Sequence, residues 1–307
     1  MYYIIYPLLY VLSLLPFTIL YAVSKLVAFV LYRITGYRKE IVLQNLTIAF
    51  PEKSAEEVNR IAREFYNNFT DNFIETLKLV SMSGKEFDKR VAVDMSACNE
   101  LAAEGRNIQF NSGHQMNWEY ASLAISKHLK LPWLAVYKKI GNPAIEQIVT
   151  KVRSKFGANM VAIEDYAFRM PSLMKHQYAL GLIADQNPAM PHQSYWLNFF
   201  SRPAPFLAGT DKGARRNKTA VVFVNIVKLR RGYYQLELDI VTKDASNSKE
   251  GELTREYRSY LEKNIRQQPS NYLWSHRRWK HAFKEEFIRK WIDNVDAAVQ
   301  YIERAVK

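Results

Sequence analysis

The sequence contains a single cysteine in 307 residues, Cys98, so an internal disulfide framework and a multi-cysteine metal site are excluded. A lone thiol fits a reducing compartment, and a small buried residue is a better interpretation of Cys98 than a nucleophile. Glycine and proline are sparse at 11 residues each, which excludes the collagen-like and disordered classes. The glycine-rich phosphate loop, the dinucleotide-binding fingerprint and the G-x-S-x-G nucleophile elbow are also missing.

Charge is missing from the first 24 residues, Met1 to Ser24, which as a helix would be about 36 Å long and sufficient to cross the hydrocarbon core of a bilayer. Pro7 and Pro16 are expected to kink this helix. A cleaved signal peptide and a buried core helix are the alternatives, and the former lacks a positively charged start. Because basic residues follow the apolar run, the rest of the chain is predicted to face the cytoplasm. We therefore predict a membrane anchor over residues 1–35 and a larger domain over residues 36–307.

Lysine and arginine outnumber aspartate and glutamate by 43 to 30, and the net charge of +13 favours an anionic partner such as phospholipid, nucleic acid or a phosphorylated substrate. The basic residues are spread over several clusters, so a solvated surface is the alternative for any one of them. One run, residues 272–280, interleaves aromatic and basic side chains. It fits a nucleic-acid stacking surface or a membrane-interface patch and is specific for neither.

Short apolar runs alternate with helical ones after residue 80, which predicts an α/β fold with a mainly parallel central sheet flanked by helices. Ser54 and Glu57 form a capping box before a helix from Ala55 to Val80. The last two strands, joined near Arg231-Gly232, are expected to be antiparallel. The predicted strands are Asn107–Asn111, Trp133–Tyr137, Met160–Ile163, Ala179–Ala184, Thr219–Val227 and Tyr233–Val241. The later predicted helices are Trp118–His128, Asn142–Phe156, Tyr166–His176, Thr210–Asn217, Glu250–Gln267 and Phe283–Val306.

The run Ser112 to Glu119 reads Ser-Gly-His-Gln-Met-Asn-Trp-Glu and joins a predicted strand to a predicted helix. Ligands in such sheets bind beyond strand ends, and a histidine and a carboxylate on one turn form a candidate general-base pair. We expect His114 to deprotonate a hydroxyl, with Glu119 orienting the imidazole and stabilising its charged form. Gly113 would allow a substrate to approach closely. A metal site would need further ligands and is not favoured.

Two other charged residues are candidates for the same site. Asp185 follows a predicted strand, where it either points into a site or caps the next turn. Arg153 lies in a basic helical run, where its guanidinium could stabilise an oxyanion or bind phosphate, with simple surface solvation as the alternative.

An ordered set of blocks resembles the late acyltransferases of bacterial lipid A biosynthesis, the group that contains lauroyl and myristoyl transferases, over nearly the full length. His114 and Glu119 match the H-x4-[DE] signature of that family. The other matching blocks are Tyr37-Arg38-Lys39 with Asn45 to Pro51, Val136-Tyr137-Lys138 with Asn142-Pro143, Lys151-Val152-Arg153 with Phe156-Gly157, Asp185-Gln186, and Tyr272-Leu273-Trp274 with His276-Arg277-Arg278 and Lys280.

The resemblance implies a fold like that of glycerophosphate acyltransferases and transfer of an acyl chain from acyl carrier protein to a hydroxyl of an anionic glycolipid, a lipid A precursor. It implies no cofactor and no nucleic acid partner. His114 would be the general base, Glu119 its partner, and Arg153 the group that stabilises the tetrahedral intermediate. The residues expected to bind substrate are Asn117, Lys138, Asp185, Arg277 and Arg278.

The sequence departs from the family pattern at two places. Lys138-Lys139 stands where the family has Arg-Pro, and Asn187 to His192 replaces a glycine-containing stretch. Two alternatives therefore stay open: an acyltransferase for another acceptor, an aminolipid or a different glycolipid, and a non-catalytic basic module that binds anionic glycolipid or nucleic acid. We expect the chain at the bacterial inner membrane, with an acyltransferase domain over residues 36–307 on the cytoplasmic face.

Overall fold

A computed structural model describes residues 1–294 of the chain. The α-helices in this range are α1 (Tyr2–Leu14), α2 (Phe17–Phe29), α3 (Lys39–Ala49), α4 (Ala55–Lys78), α5 (Gly84–Asp88), α6 (Ser96–Ala103), α7 (Trp118–His128), α8 (Pro143–Arg153), α9 (Tyr166–Leu173), α10 (Ala208–Arg216) and α11 (Glu252–Gln267). The strands are β1 (Val91–Val93), β2 (Ile108–Ser112), β3 (Trp133–Tyr137), β4 (Asn159–Ala162), β5 (Ala179–Ile183), β6 (Tyr195–Phe199), β7 (Arg202–Phe206), β8 (Ala220–Arg230) and β9 (Tyr233–Thr242).

Seven of these strands form one sheet in the order β1-β9-β8-β2-β5-β3-β4. The five strands from β8 to β4 are parallel, β9 is antiparallel to β8, and β1 is parallel to β9. The predicted α/β fold, its mainly parallel sheet and its antiparallel last pair are thus confirmed. The antiparallel pair β6–β7 was not predicted, because Pro203 and Pro205 in β7 weaken any strand pattern.

Strand register brings two loops together at one edge of the sheet. Ser112, the last residue of β2, lies opposite Ile183, the last residue of β5. His114 and Asp185 each follow two positions after this pair, so both leave the sheet at the same point. The carboxyl edge of a parallel sheet is where such folds bind ligands.

Both faces of the sheet are covered. Along β8, Val222, Val224 and Ile226 enter the core that also contains α7 residues, whereas Val221 and Phe223 enter the core formed with α3, α4 and α11. Successive side chains of a strand point to opposite faces, so a strand buried on both faces needs a continuous apolar run. This requirement explains the sequence Ala-Val-Val-Phe-Val of β8.

The uncharged N-terminus forms two helices, so the expected kink at Pro16 is a complete break, whereas Pro7 lies inside the first helix. Helix α1 ends at Leu14 and Pro16 precedes α2, because proline has no N–H with which to continue the helical hydrogen bonds. With 13 residues α1 is about 20 Å long, too short to cross a membrane. The 18-residue segment Phe17–Ile34 is long and apolar enough to cross one.

Polar groups of these two helices bond to α4. Lys78 Nζ donates to the Ser13 and Leu15 carbonyl oxygens at 2.7 and 2.9 Å, so a lysine satisfies carbonyls at the end of α1. Ser24 Oγ donates to Asp71 Oδ1 at 2.6 Å. The N-terminal helices are therefore attached to the remainder of the chain by specific hydrogen bonds.

The capping box before α4 is confirmed, since Ser54 Oγ accepts from the Glu57 amide and the Glu57 carboxylate accepts from the Ser54 amide. The predicted helix Phe283–Val306 is wrong in its described part, where only a 3₁₀ turn, Glu285–Lys290, is present. Its apolar residues, spaced by four, pack around Trp196 instead of forming a helical stripe. Residues 295–306 of that prediction lie outside the described residues.

Gly181 in β5 has no room for a side chain, because a Cβ there would lie 2.4 Å from the Trp133 ring on β3. We expect Gly181→Ala to lower the free energy of unfolding by about 1–3 kcal/mol, measured by urea denaturation in detergent, because the indole must move. Gly209→Ala is the control, since apart from its chain neighbours and the backbone of its own helix no atom lies within 4 Å of its added Cβ. Equal destabilisation of the two variants would contradict this packing.

Candidate active site

The loop after β2 ends at a helix cap. Asn117 Oδ1 accepts hydrogen bonds from the amides of Glu119 at 3.0 Å and Tyr120 at 3.1 Å. Asparagine is among the best N-cap residues because its short side chain reaches these two unpaired amides. This cap sets the direction in which the first turn of α7 presents Trp118 and Glu119.

The aromatic-basic run, residues 272–280, holds the same loop from the other side. Tyr272 and Trp274 are buried rather than displayed on a surface. The Leu273 amide donates to the His114 carbonyl at 3.0 Å. Tyr272 and Trp274 therefore stabilise the loop and offer no stacking surface, whereas Trp279 is partly exposed.

Gly113 makes room for helix α11. A Cβ at Gly113 would lie 2.5 Å from Leu261 Cδ1 and 3.8 Å from Asp185 Oδ2. The expectation that this glycine admits a substrate is thus corrected, because Leu261 and the carboxylate already occupy the space.

The His114 imidazole is bonded to Asp185. Nδ1 lies 2.6 Å from Asp185 Oδ1, and the other carboxylate oxygen accepts the His114 backbone N–H at 3.0 Å. Asp185 is buried, which by itself would raise its pKa, but the charge and hydrogen bonds of His114 and a hydrogen bond from Tyr272 lower the pKa to about 2. An ionised Asp185 accepts a hydrogen bond from the Nδ1–H group, which keeps that proton on Nδ1 and leaves the Nε2 lone pair to act as a base.

The Nε2 atom of His114 faces Gln186, a residue to which the sequence analysis gave no role. The Gln186 amide nitrogen lies 3.2 Å from His114 Nε2. Since an amide N–H donates, this contact agrees with the tautomer that the Asp185 contact requires. The sequence signals for Gln186 were its position directly after Asp185 and its place in the Asp185-Gln186 block that matches the family.

Glu119 does not bond to the imidazole; its carboxylate is bonded to Arg153. Arg153 Nε and Nη2 donate to the two Glu119 oxygens at 2.9 and 2.5 Å, a bidentate pair between α7 and α8. The Trp118 indole N–H donates to the same carboxylate at 3.1 Å, and its ring lies edge to face with the His114 ring, 5.4 Å between centroids. The expected contact between His114 and Glu119 is wrong, and Asp185 bonds to the imidazole instead. Glu119 lies in the first turn of α7, and its carboxylate points toward Arg153 on α8.

Two residues expected to bind substrate are buried and bonded within the fold. Asn117 is fully buried, and its Nδ2 donates to Glu75 at 2.9 Å. Arg278 is 1% exposed, its Nη2 donates to the Pro205 carbonyl at 3.0 Å, and its guanidinium lies 4.3 Å from the Phe206 ring centroid. Both side chains form hydrogen bonds that connect separate parts of the fold, so direct contact with a substrate is not supported for either.

Of the other three expected binding residues, Asp185 is buried against His114, whereas Lys138 and Arg277 are exposed. Lys138 follows β3 at the carboxyl edge of the sheet, and Arg277 lines a cleft. This basic cleft has a volume of about 580 Å³ and is lined by Arg38, Ile41, Asn187, Pro188, Ala189, His276, Arg277, Lys280 and His281. It adjoins the imidazole site through the loop that follows Asp185.

His276 joins the cleft to this loop. Its Nε2 accepts the Asn187 backbone N–H at 3.1 Å, which requires an unprotonated nitrogen. Burial and nearby cations, partly offset by the charge of Asp185, lower the His276 pKa to about 4. Within residues 1–294 no group of three or more His, Cys, Asp or Glu side chains is placed to hold a metal ion.

Most of the chain is similar to known proteins. Residues 1–281 match the family described as bacterial lipid A biosynthesis acyltransferase. The chain belongs to that family and is an acyltransferase.

Individual relatives cover most of the chain at low identity. It is 24% identical over 249 residues to the lipid A biosynthesis palmitoleoyltransferase of Escherichia coli (strain K12), covering 79% of each chain. It is 24% identical over 274 residues to the lipid A biosynthesis lauroyltransferase of the same organism, covering 87% of each. A lipid A biosynthesis acyltransferase of Shigella flexneri is similar to the same degree, 24% over 249 residues.

The depressed pKa of His276 predicts acid sensitivity. Below about pH 6.5 the unfolded chain protonates this histidine while the folded chain does not until about pH 4, so stability falls across this window. We expect the free energy of unfolding of His276→Gln to fall less than that of the wild type between these pH values, measured by urea titration. His192→Gln, at an exposed position, should behave as wild type. Identical pH curves for His276→Gln and wild type would contradict the assignment.

Proposed function

We propose that this acyltransferase moves a fatty acyl chain from acyl carrier protein to a hydroxyl of a lipid A precursor. The observation that carries the proposal is the His114–Asp185 pair at 2.6 Å, with Nε2 directed away from the carboxylate. The family and the names of its relatives support the acceptor class. The donor follows from the resemblance to that family.

In the proposed mechanism His114 Nε2 takes the proton of the acceptor hydroxyl at the position that the Gln186 amide now occupies. The hydroxyl oxygen attacks the thioester carbonyl, and the imidazolium is stabilised by Asp185. When the tetrahedral intermediate collapses, the carbon–sulfur bond breaks and the imidazolium returns the proton to the thiolate. An ester and a free thiol result, and no covalent acyl-enzyme is needed.

Arg153 is proposed to stabilise the negative charge that develops on the thioester oxygen. The hydrogen bonds found among residues 1–294 use two of its five N–H donors, both for Glu119. The remaining donors are available to an oxyanion, and donors held in place before reaction are the most effective kind. Glu119 thus acts by orienting Arg153.

The basic cleft is proposed to receive the anionic part of the acceptor. Arg277 and Lys280 are exposed at its wall, and Arg38 is held there by a 3.0 Å hydrogen bond to the Ser275 carbonyl. Guanidinium groups match phosphate in geometry and charge. Occupation of this cleft would bring a neighbouring sugar hydroxyl toward the loop that carries Gln186.

We also propose that the protein is located at the bacterial inner membrane, with residues 36–307 as the acyltransferase domain on the cytoplasmic face. The apolar segment Phe17–Ile34 supports membrane association. Basic residues at its end and directly after it, Arg33, Arg38 and Lys39, support the cytoplasmic side.

Loss of the proposed base should abolish most of the activity. We expect His114→Ala to lower turnover by about 10² or more, measured as the mass gain of a lipid A precursor incubated with purified protein and acyl carrier proteins loaded with different chains. His192→Ala, at an exposed position, is the control and should keep wild-type turnover. Full activity of His114→Ala would exclude its role as base, and no mass gain with the wild type would exclude the proposed reaction.

A separate prediction concerns binding of the acceptor in the basic cleft. We expect Arg277→Ala to raise the KM for the acceptor by roughly tenfold with little change in kcat, because a charge-assisted hydrogen bond contributes about 1.5–3 kcal/mol. The same titration with Lys85→Ala, an exposed lysine on α5, controls for loss of one surface charge. An unchanged KM in Arg277→Ala would show that the acceptor binds elsewhere.

A further inference from the structure

Glu75 is an interior residue that belongs to none of the sequence motifs described above. It is on α4 and completely buried. Its Oε2 accepts hydrogen bonds from Asn117 Nδ2 at 2.9 Å and from the Tyr234 hydroxyl at 2.8 Å, while Oε1 accepts from the Tyr21 hydroxyl at 2.9 Å. A buried carboxyl group is costly unless it is well hydrogen-bonded, and three donors from three separate elements converge here.

The three donors connect distant parts of the structure. Tyr21 is on α2, inside the segment that could cross a membrane, and Tyr234 is on β9. Asn117 caps α7 with its other polar atom, so the same side chain bonds both to Glu75 and to the first turn that carries Glu119. A shift of Asn117 would therefore move Glu119 and the guanidinium bonded to it.

We propose that Glu75 is a positioning residue for acyl transfer: it fixes Asn117, and with it the first turn of α7, and couples this turn to α2 through Tyr21. The inference rests on the proposed function, since it concerns the placement of Glu119 and Arg153 for that reaction. Glu75 itself touches neither substrate nor the imidazole. Because of this coupling, the geometry of the site depends on the position of α2 relative to α4.

A pair of substitutions tests the direct contact between Glu75 and Asn117. Asn117→Asp keeps an N-cap oxygen but places a second carboxylate against Glu75. We expect kcat to fall by at least roughly tenfold at unchanged KM for both substrates, since misplacement by about 1 Å costs up to 10²-fold. Adding Glu75→Gln supplies an amide donor to the new carboxylate, and we expect the double variant to regain kcat to within about threefold of wild type.

The link to α2 is tested by Tyr21→Phe, with Tyr66→Phe as the matched control. Tyr66 is also on α4 and buried, and its hydroxyl donates to the Tyr37 carbonyl at 2.5 Å, away from Asn117. Both variants lose one phenol hydrogen bond and some stability. We expect only Tyr21→Phe to lower kcat, by roughly threefold to tenfold, with vesicle binding unchanged in both.

Hydrogen exchange gives a readout that does not need activity. The amides of Glu119 and Tyr120, which Asn117 caps, should exchange faster in Asn117→Asp and Tyr21→Phe and return to the wild-type rate in the double variant. Wild-type kcat and exchange in Asn117→Asp, or no recovery in the double variant, would overturn the inference. A wild type that exchanges as expected but transfers no acyl chain would refute the proposed function and leave the hydrogen-bond network standing.

Discussion

The contact between the Asp185 carboxylate and His114 is the interaction on which the site depends. One oxygen is bonded to Nδ1 and the other to the backbone N–H of the same residue, so a single buried carboxylate fixes both the ring and the loop. This geometry requires β2 and β5 to be neighbours in a register that ends both strands together. It also requires a glycine at position 113, because a Cβ there would collide with Leu261.

Three carboxylates around this loop have different tasks because their partners differ. Asp185 is bonded to the imidazole, Glu119 to a guanidinium, and Glu75 to two phenols and an amide. An arginine partner leaves Glu119 without a proton to exchange, whereas the imidazole partner of Asp185 can gain and lose one. In the proposed mechanism, proton transfer and stabilisation of the oxyanion thereby fall to separate groups, and Glu75 is linked to the second of these through Asn117.

Sequence reasoning placed the strands and helices around the site within a few residues, because alternating apolar runs and the capping box of α4 are local signals. It placed His114 and Asp185 beyond strand ends for the same reason. It paired His114 with the wrong carboxylate, since the contact with Asp185 spans 71 residues and depends on strand order, which no local pattern specifies. The role of Gly113 and the burial of Asn117 and Arg278 were missed because each depends on packing against distant elements, whereas the break between α1 and α2 had a local signal in Pro16.

The comparison of Asp185→Asn with wild type in single-turnover acyl transfer, at saturating donor and acceptor, tests the central claim most directly. An asparagine in this position keeps the shape of the side chain but no longer holds the imidazole in the tautomer that a general base needs. The account predicts a loss of roughly 10²–10⁴-fold in the transfer rate with the fold intact. A wild-type rate in Asp185→Asn would contradict it and would show that His114 does not depend on Asp185 for catalysis.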